Sequence, residues 1–376
     1  VIDLATVARH GLAGAPDCRS GPIEASSWTR LLQEATNQRL TGLLTAMVLD
    51  GSLEPTGEQE EALVEAHRSA LARDLLVERT VLWAVGCLDA AGVDHRVLKG
   101  TATAHLDYDD PGLRSFVDAD LLVRSDQWDR AVRALENGGA RRESREPRRG
   151  WDRQFAKGVT LTTPDRYEID LHRTFVFGPL GFTVRLPDLW AGSEDFALGG
   201  RRLCALDREA RWLHACLTAA AADVPARLVS LRDVLQLAAD PRLDIARTET
   251  LALAWRATAI VRRATSVAAE TLGVAPPDSV RRWGDGLAVG RSEEATLRHY
   301  TDPGDRYVRL TIEAVRFVPG LRAKAEYATG LVWPEAGYVG YRYRSHLERW
   351  HSVLSRARQA MAPGAGGQRR ERVKGS

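Results

Sequence analysis

The sequence predicts an α+β protein in which a small mixed-sheet core, residues 93–200, lies between an N-terminal helical region (1–92) and a C-terminal helical domain (201–362). Two observations carry this expectation. Apolar residues recur at three- and four-residue spacing up to residue 92 and again from residue 207, the mark of amphipathic helices. Between these stretches the texture changes to short apolar runs punctuated by Gly, Pro and Asp, as strands and their turns are. The length of 376 residues leaves room for two or three domains, and 44% hydrophobic with 27% charged residues suits a globular chain with a real core.

In the N-terminal region the clearest element opens at Pro55-Thr56-Gly57-Glu58-Gln59, where Thr56 and Gln59 have capping-box spacing. Leu63, Ala66, Ala70, Val77, Val81, Ala84 and Leu88 then mark one helical face, which stops at Ala91-Gly92. The core begins with a short strand, His95–Leu98, followed by Lys99-Gly100-Thr101 and a helix to about Leu106. After the turn-rich Tyr108–Gly112 comes a second strand, Phe116–Val123. Ser125 then caps a helix carrying Trp128, Val132 and Leu135, ended by Gly138-Gly139. Two further strands, about Phe155–Thr162 and Arg166–His172, are joined by a Pro164-Asp165 turn. Helical segments follow near 207–222, 226–239, 246–273 and 305–317, and a Gly- and Arg-rich stretch at 363–376 reads as a disordered basic tail.

Charge and cysteine usage narrow the function classes. Lys plus Arg total 52 against 50 Asp plus Glu, a formal net charge of +2, which gives no support to a nucleic-acid partner. Cys18, Cys87, Cys204 and Cys216 are scattered without a C-x-x-C pair, as free thiols in a reducing compartment would be. The first residues lack a signal-peptide pattern, and the longest apolar stretch, around Trp212–Ala222, is too short to span a bilayer. A cytoplasmic protein with no membrane partner is the expectation.

The chemistry concentrates in Arg114-Ser-Phe-Val-Asp118-Ala-Asp120-Leu-Leu-Val123. On a strand, Asp118 and Asp120 share a face and bring two carboxylates side by side in apolar surroundings. Like charges that close call for a shared proton or a cation. A hard divalent ion such as Mg²⁺ takes one or two carboxylates together with substrate phosphates. Tyr167-Glu168-Ile-Asp170-Leu-His172 places Glu168, Asp170 and His172 on one face as well. If this strand lies beside the first, Asp170 completes a cluster of three acids that suits two metals and phosphoryl transfer. The plainer alternative is that both segments are solvated faces of edge strands.

These segments together resemble the uncharacterised nucleotidyltransferase family of bacteria, a branch of the DNA polymerase β-like nucleotidyltransferase superfamily. The matching pieces are Val97-Leu-Lys-Gly100, Arg114 ahead of Asp118-x-Asp120-Leu-Leu-Val123, Ile169-Asp170-Leu-His172, Leu213-His214, Arg227-Leu228 and Leu231-Arg232-Asp233-Val234. The resemblance implies that Asp118, Asp120 and Asp170 are the catalytic, metal-binding acids. It also implies that Gly100-Thr101 starts a helix facing the nucleotide phosphates, as helix N-termini do. Lys99 and Arg114 are then candidate phosphate contacts, with structural pairing as the alternative. His172 orients a carboxylate, touches substrate or is a satisfied structural histidine. Asp233 is a candidate acceptor-side or nucleotide contact from the helical domain, with a solvated helix face as the simpler alternative. Glu168 is a candidate general base, from its facing alone.

The expected activity is Mg²⁺-dependent transfer of a nucleoside monophosphate, AMP from ATP or its counterpart from another NTP. The acceptor would be a hydroxyl or similar group on a small molecule or protein, with release of pyrophosphate. A non-catalytic nucleotide-binding or interaction protein that kept the fold is the alternative. Outside this array, Arg141–Arg149 holds five arginines and two glutamates and reads as a solvated loop or a grip on an acidic substrate. Trp151 beside it is core packing or a stacking platform.

Overall fold

Residues 2–302 and 306–361 are described by the computed structural model; the tail expected at 363–376 lies outside them. Seven strands form one mixed sheet: β1 (His95–Val97), β2 (Ala119–Val123), β3 (Arg141–Arg142), β4 (Gly158–Thr162), β5 (Glu168–His172), β6 (Glu194–Leu198) and β7 (Arg201–Ala205). Their spatial order is β3-β4-β5-β2-β1-β7-β6. The central pair, β2 and β5, is parallel, as is β1 with β7, and the other neighbours are antiparallel.

Side-chain parity on β2 explains the layering. Ala119, Leu121 and Val123 point to one face, where with Ile169, Leu171 and Val97 they pack against Val77–Leu88 and Trp128–Leu135. Leu122 points to the other face and joins Leu98, Phe175, Leu213 and Leu217 in a second core shared with the C-terminal helices. Every residue of β2 is buried. The even-numbered positions Asp118 and Asp120 therefore lie between the sheet and the helix Arg208–Leu217.

The helix Gly57–Ala90 spans 34 residues, about 50 Å at 1.5 Å per residue. Its capping box forms as the sequence predicts: Gln59 N donates to Thr56 Oγ1 and Thr56 N to Gln59 Oε1, both at 3.3 Å. Leu63, near its start, belongs to the core under the C-terminal helices, while Val77, Val81, Ala84 and Leu88 belong to the core under the sheet.

Several boundaries differ from expectation, each for a local reason. The second strand starts at Ala119 and not Phe116, because Phe116 N donates to the buried Asp74 Oδ1 at 3.0 Å instead of to a neighbouring strand. The third expected strand starts at Gly158, since Trp151–Gln154 close a helical turn first. The stretch 246–273 is two helices, Ile245–Ala254 and Thr258–Leu272, broken where Arg256 takes φ 53°. The hairpin of β6 and β7 was not anticipated; it turns through Gly199-Gly200, both at positive φ (53° and 78°), the conformation a tight primed turn demands. Trp151 is a core residue, stacked on Tyr327 at 5.0 Å with Phe155 at its edge, and so offers no ring to a substrate. Among the described residues no helix is long and apolar enough to cross a membrane, and all four cysteines are free.

Candidate active site

Register sets the site. In the parallel β2–β5 pair Asp120 stands opposite Asp170, and in the antiparallel β4–β5 pair Thr160 stands opposite Asp170. One oxygen or nitrogen from each of Asp120, Asp170 and His172 falls within 4.8 Å of the others. Asp118, half-buried just ahead of β2, is outside this tightest set but close enough that Asp120 and Asp170 act on its charge.

Asp120 is the anchor. Its side chain is 1% exposed. His172 Nε2 donates to Asp120 Oδ1 at 2.6 Å, and Lys99 Nζ lies 3.4 Å from the same oxygen. Burial alone would raise this carboxyl, but Lys99 and the His172 hydrogen bond outweigh it and hold Asp120 well below the usual carboxylate range. Asp120 Oδ2 is buried without a hydrogen-bond partner among the described residues. An ionised, desolvated oxygen left in that state is costly, and a hard cation with oxygen ligands satisfies it. The donor set therefore fits a divalent metal. Thr160 Oγ1 donates to Asp170 Oδ1 at 2.7 Å and fixes that carboxylate from behind.

The other charges respond to this cluster. Asp120 holds Lys99 above its ordinary value against the opposing effect of burial. Burial, then the neighbouring Asp120, pushes Asp118 up. Burial and then Lys157 push His172 down against the opposing Asp120 hydrogen bond, and the Nε2 that faces the Asp120 carboxylate is the donor. The Lys99 backbone is set by Gly100, which adopts φ 54°. A side chain there would place Cβ 3.2 Å from Phe116 Cβ.

The remaining expected residues occupy distinct places. Thr101, at the start of the helix Thr101–Asp107, is buried and its hydroxyl lacks a partner among the described residues. Arg114 and Asp233 are held by each other: Arg114 Nε and Nη2 donate to Asp233 at 3.2 and 2.8 Å, and the Tyr108 hydroxyl donates to Asp233 at 2.8 Å. Lys99, Arg114, His214 and Asp233 line one small cavity between the sheet and the C-terminal helices. Glu168 is exposed at the start of β5, its carboxyl raised by partial burial and then by Glu143.

Three participants were missed from sequence. Lys157 lies close enough for its charge to act on Asp118, Asp120 and Asp170, while burial and Lys99 depress it. His214 is fully buried, stacked 4.1 Å from Phe175, and burial followed by Lys99 drives it well below its ordinary value. Thr160 stands opposite Asp170 only because the loop is three residues, 164–166, with Arg166 at φ 67°; counting outward from a two-residue Pro164-Asp165 turn would place it opposite Ile169. Leu213-His214 stood among the matching pieces without a role assigned to the histidine, and Lys157 depends on tertiary placement that no local pattern announces.

Among solved structures, the chain is similar to the antibiotic-resistance factor ANT(2'')-Ia, at 16% identity and TM-score 0.32, over 60% of this chain and 97% of that one. It is similar to the lincosamide antibiotic adenylyltransferase LnuA in its lincomycin-bound structure, at 13% identity and TM-score 0.30, over 43% and 96%. A third is an antigenic nucleotidyltransferase-like protein from Paracoccidioides brasiliensis, at 17% identity and TM-score 0.32, over 55% and 94%. No curated protein matches the sequence. The family model that matches covers residues 24–273, more than half of the chain and the whole of the sheet with its acids. This chain belongs to the uncharacterised nucleotidyltransferase family, and it is an enzyme of the nucleotidyl-transfer class.

Proposed function

We propose that the chain transfers AMP from ATP to a hydroxyl on a small-molecule or protein acceptor, with Mg²⁺ held by Asp118, Asp120 and Asp170. The observation that carries this reading is the buried Asp120 carboxylate, its Oδ2 unpartnered, facing Asp170 across two parallel strands. Bound there, the metal would lower the pKa of the attacking oxygen and neutralise charge on the transferring and leaving phosphates.

The acceptor oxygen forms a bond to the α-phosphorus as the bond to the bridging oxygen breaks, and pyrophosphate departs with that electron pair. Lys99 and Lys157 supply positive charge beside the acids and so favour the triphosphate there. Gly100-Thr101 lets the backbone approach the phosphates. His172 holds Asp120 ionised and fixed in orientation through its 2.6 Å hydrogen bond. Arg114 and Asp233, joined to each other, position the loop that delivers Asp118. Glu168 is our candidate for accepting the hydroxyl proton, because it shares the Asp170 face of β5 at the solvent side. Cytoplasmic placement follows from the free thiols under this reading.

The test is calorimetric titration of ATP with Mg²⁺ into wild type and into Asp118→Ala/Asp120→Ala, followed by an acceptor screen for pyrophosphate release. Metal-dependent binding that disappears in the double variant is expected. Equal binding by the well-folded double variant would refute the site.

A further inference from the structure

A second arginine-lined pocket opens beside Asp118. Arg39, Arg73 and Arg227 line it, with Asp74 and Ser115 among its other walls. The three arginines come from separate segments: the turn before the helix Thr41–Leu49, the long helix Gly57–Ala90, and the residue capping the helix Leu228–Ala238. A hydrogen bond from Leu228 N to Gln38 Oε1 at 3.1 Å ties the neighbours of Arg227 and Arg39 together. Arg39 takes φ 62°, a left-handed conformation that costs a non-glycine residue on the order of 1 kcal/mol.

Among the described residues none of these three guanidinium groups has an ion-pair or hydrogen-bond partner. The neighbouring acids act on these arginines through their charge alone, Asp118 and Asp223 on Arg39 and Asp74 on Arg73, and each of Asp223 and Asp74 also accepts a hydrogen bond from a neutral donor. Asp223 accepts from Ser230 Oγ at 2.8 Å, and Asp74 Oδ1 accepts from Phe116 N. The pocket floor is polar: Asp74 Oδ2 and Ser115 Oγ are buried beside each other, and against the burial that raises the Asp74 carboxyl, the Ser115 hydroxyl and Arg73 both act to lower it. Among the residues that line the pocket, three guanidinium groups face one carboxyl, that of Asp74. Ser115, Phe116 and Val117 form one wall and lead directly along the chain to Asp118, so the pocket adjoins the acid that precedes β2.

The pocket is separate from the lysine pair. Lys99 and Lys157 act on Asp120, and Asp118 lies between the two groups, acted on by Lys99 and by Arg39; the cavity that Lys99 lines and the pocket that Arg39 lines share no lining residue. One anionic substrate is thus provided for at the centre of the sheet, and a second cationic cluster remains beside it. Guanidinium groups bind phosphate and carboxylate in forked, paired hydrogen bonds and so suit recognition of a fixed anionic group. We propose that the Arg39–Arg73–Arg227 pocket is the acceptor subsite, and that the acceptor carries a phosphate or carboxylate beside the hydroxyl that is modified. This rests on the nucleotidyl-transfer reading above and names its second substrate class.

The experiment uses two probes in sequence. α,β-Methylene-ATP with Mg²⁺ is titrated into the full chain, and glycerol 1-phosphate is then titrated into the nucleotide-saturated protein, with glycerol as the uncharged control. Expected is one further site for glycerol 1-phosphate and none for glycerol. Arg39→Gln and the exposed Arg227→Gln should each weaken glycerol 1-phosphate at least tenfold and leave the nucleotide Kd within about twofold, the loss of one charge-assisted pair. Arg227 is exposed, so its variant keeps the fold, checked by an unchanged Tm. Failure of glycerol 1-phosphate to bind, or equal binding by both variants, would overturn the proposal. A tenfold loss of nucleotide affinity in either variant would overturn it too, by assigning the arginines to the triphosphate. No binding of α,β-methylene-ATP by wild type would instead sink the nucleotidyl-transfer reading, and the acceptor subsite with it.

Discussion

Replacing Asp233 by Ala should cost this protein about 4 kcal/mol of stability. The side chains of Arg114 and Asp233 are 6% and 9% exposed, and the pair is closed by two guanidinium hydrogen bonds. Burial works against the Arg114 charge, yet Asp233 outweighs it and holds Arg114 above its ordinary value. Removing the acid leaves a buried guanidinium uncompensated, which typically costs 3–5 kcal/mol, and deprives the Tyr108 hydroxyl of its acceptor. Replacing both partners with apolar residues of similar size removes the stranded charge. Arg114→Met/Asp233→Leu should therefore recover to within about 2 kcal/mol of wild type. Urea unfolding followed by tryptophan fluorescence, with m-values compared across the set, measures both variants. If Asp233→Ala cost less than about 1 kcal/mol, or the double variant were as unstable as the single one, the argument from an uncompensated buried charge would be wrong.

Three further outcomes follow from particular contacts. Thr160→Val removes the 2.7 Å hydrogen bond to Asp170 and should weaken Mg²⁺-dependent nucleotide binding 10- to 100-fold, with little change in stability; an unchanged Mg²⁺ titration would refute the support role. Burial raises Asp74 to about 6 from an unfolded value near 3.8, so its ionisation disfavours the folded state increasingly as pH rises through that window. Asp74→Asn, which still accepts from Phe116 N, should match wild type near pH 3.5 and exceed it by roughly 1–3 kcal/mol above pH 6.5; a pH-independent difference in Tm would show that ionisation is not the cause. Thr56→Ala, which breaks the capping box of the long helix, should cost about 1 kcal/mol in urea unfolding with an unchanged m-value, and no loss would mean that the cap contributes nothing.

Much of the site was legible in sequence because strands obey a period of two. The alternation in Glu168-Ile-Asp-Leu-His172 separates the polar face from Ile169 and Leu171, which lie in the sheet core as the pattern requires. The capping box at Thr56 was equally readable, being local. What the pattern left open was adjacency. Asp120 meets Asp170 because β5 lies parallel to β2, although β3 and β4 intervene in the chain, and chain order does not state that. Arg114 and Asp233 are separated by more than a hundred residues, so their pairing could be found only in three dimensions. The β6–β7 hairpin did carry a local signal in Gly199-Gly200, overlooked because its strands alternate weakly, with Glu194, Asp195, Arg201 and Arg202 at their ends.

The helix Gly57–Ala90 gives two cores one common beam. Its first turns are clamped by the helices Ala25–Asn37 and Thr41–Leu49, and its last turns cover β1, β2 and β5. A fragment starting at residue 93 would lose the lid over Leu121, Val123 and Ile169 and expose them to water, so it should aggregate instead of folding as a free-standing catalytic unit. The same beam ties the N-terminal helices to the strand that carries Asp120, since one uninterrupted helix packs against both.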